Sequence, residues 1–293
     1  MSGCRLAVVL VFVCVAVTLG GASCCGKRSE YAKPESFIVD PDTGTYYVSN
    51  VNEHTRERED NNGYITKLDK DLNVVAQKFI EGGRDGTKLN DPKGMAIVGD
   101  TLWVADLKVV RAFDKNTGKN TGNVSLQEHG AILLNDITAG PDGALFVSDT
   151  QKNKIFAIAT KDGNEVSVLV EGNDLNGPNG LYWDAGEALL YVACWSGGMI
   201  LTIDAEGAIS TFMVNPDKFA HLDGIDRDAD GAFYVSDYHK GIVYRVTPEK
   251  QIDVVVDKLT APADISLDRA NNRLLIPLMT ADRITTHDLA KDQ

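Results

Sequence analysis

The sequence predicts an all-β chain folded as a six-bladed β-propeller, and three observations carry that prediction. A short motif recurs as Pro34-Glu35-Ser36-Phe37, Pro92-Lys93-Gly94-Met95, Leu134-Asn135-Asp136-Ile137, Pro178-Asn179-Gly180-Leu181, Leu222-Asp223-Gly224-Ile225 and Pro262-Ala263-Asp264-Ile265. From the second copy onward its second positions, 93, 135, 179, 223 and 263, lie 42, 44, 44 and 40 residues apart, within the propeller-blade range of about 40 to 50. After a turn, each copy is followed by a second apolar run: Tyr46 to Asn50, Leu102 to Asp106, Leu145 to Asp149, Leu190 to Cys194, Phe233 to Asp237 and Leu274 to Leu278. Aromatic and β-branched enrichment bounded by Gly, Asp and Pro reads as strand. Third and fourth runs follow, such as Lys154 to Ile158 and Val166 to Val170, so each copy is a four-stranded blade.

The chain begins with Arg5, an apolar run from Leu6 to Val17 and the small residues of Thr18 to Ser23. That order reads as a secretory signal over residues 1–24, too short for a membrane span of about 20 apolar residues. Export to the periplasm or the exterior is expected, with Cys24 as the residue that lipid processing would acylate; Gly21 stands where a lipoprotein signal usually has leucine. Residues 25–293 then form a single propeller domain. Its first interval, 58 residues from Glu35 to Lys93, holds an insertion, and the mixed charge run Glu53 to Gly63 reads as a solvated loop between strands two and three of blade one. Blade six shows only three strands before the chain stops, so residues Ser29 to Lys33 are expected to supply its missing outer strand.

With 29 basic and 42 acidic residues the net charge is −13, which argues against nucleic acid or an anionic membrane surface as the main partner. A small-molecule substrate, a monomer, and membrane contact only through the N-terminal anchor are expected. Of five cysteines, Cys4 and Cys14 lie in the signal, Cys24 and Cys25 at its border, and only Cys194 in the propeller. No internal disulfide framework follows, and Cys194 reads as a small residue at a strand end. In a eukaryotic host Asn123-Val124-Ser125 would be a glycosylation sequon.

The first strand of each blade lines the central channel, so the second positions of the motif converge on the axis. Glu35, Asn135, Asn179 and Asp223 all present oxygen, a set suited to a hard divalent cation: Ca²⁺ first, with Mg²⁺, Mn²⁺ or Zn²⁺ as alternatives. Two carboxylates balance its charge, and without it they would repel.

These motifs resemble those of the SMP-30/gluconolactonase (regucalcin-like, LRE) propellers. Glu35 with Asp40-Pro41 looks like the first-blade glutamate motif, and Asn135-Asp136 with Pro141-Asp142-Gly143 like the third. Pro178-Asn179-Gly180-Leu181 and Asp223-Gly224 with Asp230-Gly231 are similar to the fourth and fifth. The resemblance spans the chain from Pro34 onward. It implies one divalent metal held by Glu35, Asn179 and Asp223 with Asn135 beside it, and hydrolysis of lactones or esters with Asp223 as general base. Two departures stand out. Leu133 occupies a place where family hydrolases often carry arginine, and Lys93 puts an ammonium among the inner positions, where it must lean away, pair with Glu35 or Asp264, or bind an anionic substrate group.

Lys93, Asp136, Trp195, His221, His239 and Asp264 are read as substrate-binding. Asp226 to Asp237 imitates an EF-hand loop but ends in Asp where a bidentate Glu is wanted, and reads as a strand-connecting turn. No nucleophile elbow, His-Glu-x-x-His or phosphate-binding glycine loop is present. The competing functional class is a non-catalytic NHL-type binding propeller, with channel residues that are only structural; a strictosidine-synthase-like propeller would need a glutamate base on another blade, and none is placed.

Overall fold

The computed structural model describes Met1 and residues 29–52 and 59–289. The signal segment, with Cys4, Cys14, Cys24 and Cys25, and the first half of the charged loop after Asn52 lie outside the described residues.

Among the described residues, twenty-three strands form six antiparallel sheets arranged as blades. Blade one is β1 (Pro34–Val39), β2 (Tyr46–Asn50), β3 (Tyr64–Leu68) and β4 (Val74–Glu81). Blade two is β5 (Pro92–Val98), β6 (Thr101–Asp106), β7 (Val109–Asp114) and β8 (Asn120–Ser125). Blade three is β9 (Leu134–Ala139), β10 (Leu145–Asp149), β11 (Lys154–Ala159) and β12 (Glu165–Glu171). Blade four is β13 (Pro178–Asp184), β14 (Leu189–Cys194), β15 (Met199–Ile203) and β16 (Ile209–Val214). Blade five is β17 (Leu222–Arg227), β18 (Phe233–Asp237), β19 (Ile242–Val246) and β20 (Ile252–Val256). Blade six is β21 (Ser266–Asp268), β22 (Arg273–Leu278) and β23 (Arg283–Asp288). The recurring motif opens the inner strand of the first five blades and directly precedes it in the sixth.

Apolar packing occurs at every blade interface. Between blades one and two, Tyr47, Ile65, Met95 and Val104 pack together; between two and three, Ala105, Val110, Ile137 and Phe156. Clusters of the same kind join three to four, four to five and five to six, and Phe37, Tyr46 and Val48 meet Leu275 where the ring closes. A blade buries both of its faces against its neighbours, so strand residues on either face can be apolar.

Closure differs from the sequence expectation. Ser29 to Lys33 form no outer strand: among the described residues blade six has three strands, and β23 pairs only with β22. The segment instead bridges the end of β2 and the turn at Asp282. Backbone N–H groups of Val51 and Asn52 donate to the carbonyls of Lys33 and Ala32, Lys33 N donates to Asp282 Oδ1 at 2.9 Å, and the Ser29 hydroxyl donates to the Asp282 carbonyl. These bonds satisfy the segment's polar backbone groups without a place at the edge of blade six. Inner strands complete the ring, with Asp264 N donating to Glu35 O at 2.9 Å and Ser266 Oγ to Phe37 O at 2.7 Å.

The turn reading of Asp226 to Asp237 holds. Asp228 Oδ1 accepts from Asp230 N and Ala232 N, an Asx arrangement between β17 and β18. Cys194 is buried, and burial pushes its thiol up to about 12, far from a reactive thiolate.

Candidate functional site

The pairing of inner with second strands shifts register at the motif itself: between Pro34 and Phe37, Pro92 and Met95, Pro178 and Leu181, and Leu222 and Ile225, with the matching break in blade three between Val147 and Asp149. A bulge bends the strand and re-aims side chains. The backbone it frees is taken up by a serine of the second strand. Ser49 Oγ accepts from Ser36 N, Ser148 Oγ from Asp136 N and Ser236 Oγ from Gly224 N, each at 2.9 Å. Two of these hydroxyls also donate to the next inner strand, Ser148 to Asn179 O at 2.8 Å and Ser236 to Ala263 O at 2.7 Å. Neighbouring inner strands approach so closely that a Cβ on Gly180 would lie 2.2 Å from Asp223 O, and one on Gly224 2.2 Å from Ile265 N. Glycine at the third position therefore lets Asn179 and Asp223 stand side by side.

Glu35, Lys93, Asn135, Asn179 and Asp223 come together at one mouth of the channel, on a cavity of about 850 Å³ also lined by Lys33, Asp91, Leu133, Thr150, Trp195, Tyr238, His239 and Met279. Glu35, Asn179 and Asp223 are 3%, 2% and 5% exposed. Glu35 Oε2 and Asp223 Oδ1 are buried without a hydrogen-bond partner among the described residues. Asn135 Nδ2 donates to Thr150 Oγ1 at 3.0 Å, and Thr150 Oγ1 donates to Pro178 O at 2.8 Å, which fixes the amide and leaves its carbonyl oxygen for a ligand. Lys93 Nζ lies 3.8 Å from Glu35 Oε1, so of the alternatives open to it in sequence the Glu35 pairing is the one formed.

Charge at this mouth is held at a cost. Burial, then the charges of Asp223, Asp264 and Asp136, raise the Glu35 carboxyl well above the usual carboxylate range despite Lys93. Burial and Asp264 push Asp223 up to about 7, again against Lys93. Burial would lower the Lys93 ammonium, but Glu35, Asp91 and Asp223 outweigh it and its pKa is raised. Lys93 thus stays protonated beside two carboxyls that want a further positive charge.

The residues fit a divalent cation. Two carboxylate oxygens lack partners where burial demands them, and two carboxamides flank them. Among the described residues no group of three or more His, Cys, Asp or Glu side chains forms a metal site; the donor set is two carboxylates with two amides, hard oxygen ligands throughout.

The remaining sequence-predicted residues divide. Trp195 and His239 line the mouth, and their rings belong to one aromatic layer: Trp195 stands 4.8 Å from His221 and 5.6 Å from Tyr238, and His221 4.7 Å from His239. His221 belongs to that layer but does not line the cavity, and its Nδ1 is buried without a hydrogen-bond partner among the described residues. Asp136 and Asp264 line a different cavity, of about 360 Å³, at the other end of the inner strands, together with Asp226 and Arg269. Asp136 Oδ1 accepts from Ile137 N at 2.7 Å and Oδ2 from Leu181 N of blade four at 2.6 Å. Sequence reasoning missed Tyr238, Thr150 and Met279. All three follow second strands, and the recurrence of strand ends at Asp149, Asp237 and Leu278 is the signal that could have found them.

Residues 33–266 match the family model described as the SMP-30/Gluconolactonase/LRE-like region. No curated protein sequence matches the chain. Among solved structures, a streptogramin B lyase is similar at 14% identity and a TM-score of 0.61, over 88% of this chain and 93% of that one. A catalytically inactive virginiamycin B lyase from Staphylococcus aureus with quinupristin reaches 17% and 0.62, over 89% and 96%. A structural-genomics protein of unknown function from Bacteroides thetaiotaomicron reaches 14% and 0.64, over 86% and 69%. At these identities the likeness shows the propeller fold.

Proposed function

Because the chain belongs to the SMP-30/gluconolactonase/LRE-like family, we propose that it is an exported, cation-dependent hydrolase of a small lactone or ester, working in the channel mouth. One observation carries this reading. Glu35 Oε2 and Asp223 Oδ1, on inner strands of different blades, are buried and unpartnered, an arrangement that costs stability unless a ligand completes it.

Glu35, Asn179 and Asp223 would hold the cation, Ca²⁺ foremost, with Asn135 beside it. When bound, such a cation polarises a carbonyl and acidifies water. Asp223 takes the proton of the attacking water as general base. The Thr150 contact holds the Asn135 carbonyl toward the ligand, and Trp195 and Tyr238 give the substrate ring an apolar face. Residues 1–24 would direct export, as free protein or anchored at Cys24, and the working form would be a monomer acting on a small molecule.

Calorimetric titration of the cation-stripped mature protein with Ca²⁺, Mg²⁺, Mn²⁺ and Zn²⁺ tests the reading, followed by a lactone and ester screen read by product mass. One-site binding lost in Asp223→Ala, with products one water heavier than substrate, is expected. Unchanged product mass would instead point to a lyase, the activity in the names of two structural neighbours. The Lys93 ion pair favours a second reading, a binding propeller whose ammonium balances the channel carboxylates. Failure to bind any of the four cations would overturn the hydrolase and leave that one.

A further inference from the structure

The mouth carries a cation of its own. The Lys93 side chain is 14% exposed, and its ammonium meets Glu35 Oε1 at 3.8 Å, an ion pair longer than a hydrogen bond, so its N–H donors are not satisfied by that carboxylate. Lys33, on the same wall, is committed to Asp282 at 3.4 Å. Among the described residues that line the mouth, Lys93 is therefore the ammonium open to a ligand.

A divalent cation on Glu35 Oε2 and Asp223 Oδ1 would share the Glu35 carboxylate with this ammonium. Like charges so close in a buried site repel strongly. An anionic oxygen placed against both is attracted by both, and it relieves the repulsion. Asp91 also faces Lys93, but it belongs to the protein in every ligand state and does not change the sign of the coupling.

We propose that Lys93 links cation and anion binding in the channel mouth, and that the substrate is accordingly a lactone or ester bearing a carboxylate. The inference rests on the hydrolase reading and names the substrate class of the same site. Linkage is reciprocal: the anion tightens the cation by the factor with which the cation tightens the anion.

The test is calorimetric titration of the mature protein with Ca²⁺, with and without saturating γ-hydroxybutyrate as carboxylate probe. Wild-type protein should bind Ca²⁺ at least about fivefold tighter with the probe present. Lys93→Met should bind Ca²⁺ alone at least about fivefold tighter than wild type, because the repulsion is gone, and should respond to the probe by less than about twofold. Lys93→Arg should keep the wild-type response, and Lys93→Gln serves if circular dichroism shows the Met variant unfolded. In hydrolysis, wild type should prefer the γ-carboxylate of γ-butyrolactone to γ-butyrolactone itself through KM, a preference lost in Lys93→Met. Ca²⁺ binding with an equal probe response in wild type and variant overturns this inference alone. Where another of the four cations binds in place of Ca²⁺, the same titrations are made with that cation, and only failure of wild type to bind all four overturns the inference together with the hydrolase.

Discussion

Asp223 and Asp226 stand three residues apart on the inner strand of blade five, one at each end of the channel. Asp226 Oδ1 accepts from Arg227 N at 2.7 Å and from Arg269, and its Oδ2 accepts from Leu267 N of blade six at 2.8 Å. Asp223 Oδ1 has no partner. The same contrast appears in blade three, where Asp136 reaches Leu181 of the next blade while the adjacent Asn135 faces the mouth. At the lower end buried carboxylates stitch one inner strand to the next. At the upper end they are left incomplete, and a buried polar group that the fold does not satisfy marks the place where a ligand belongs.

The most severe way to break this comparison is to remove one charge from each end. Asp223→Asn should lower Ca²⁺ affinity at least about a hundredfold, since a ligand oxygen and half of the balancing charge are lost. Asp226→Asn should change it less than about twofold, and calorimetry on both checks the pair. Equal losses would mean that the two ends are not functionally distinct.

Stability should rank the other way. Asp226→Ala strands the buried N–H of Leu267 and frees Arg269, and should lower the unfolding free energy in urea by about 1–3 kcal/mol, whereas Asp223→Ala strands no hydrogen-bond donor and should cost less. The pH dependence sharpens this further. Asp223 and Asp264 are both pushed from 3.8 up to about 7 by burial, Asp223 next by Asp264 and Asp264 by the charge of Asp226 against a lowering contribution from Ser36. The folded chain therefore keeps protons that the unfolded chain has lost. Their contribution to stability is fully present below about pH 4 and is lost as pH rises through about 7. Cation-free protein should show a falling urea midpoint across that window, Asp223→Asn should flatten it, and Ca²⁺ should restore stability at its upper end.

The contrast between the ends was half legible in sequence. The motif repeats every 40 to 44 residues after its first copy, and that period alone places its second positions around one axis, because strand geometry is local and the blade is a repeat. What the side chains do at the third position was not legible. Asp136 and Asp264 read as neighbours of the site, yet both line the opposite cavity, Asp136 beside the register break of blade three. The partner of Lys93 depended on a distance between blades one and two that no spacing encodes. Tyr238 and Met279 come from loops whose paths the strand pattern leaves open. Ring closure also escaped, since the end of β2 and the turn at Asp282 offered Ser29 to Lys33 hydrogen-bond partners that an apolar pattern does not record.

The smallest expected effect concerns a side chain that touches no ligand. Thr150 Oγ1 accepts from Asn135 Nδ2 and donates to Pro178 O, so one hydroxyl joins the Asn135 amide to the strand that carries Asn179. Thr150→Val keeps the volume and removes the hydroxyl, which leaves the Asn135 amide free to turn. Partners that orient a ligand commonly change affinity by about 10- to 100-fold, but Asn135 is one oxygen of four and the mouth lets water replace the lost contact, so about three- to tenfold weaker Ca²⁺ binding is expected. Thr150→Ser, which keeps the hydroxyl, should recover wild-type affinity. A Val variant equal to wild type in calorimetry would place Asn135 outside the cation's reach and reduce the site to Glu35, Asn179 and Asp223.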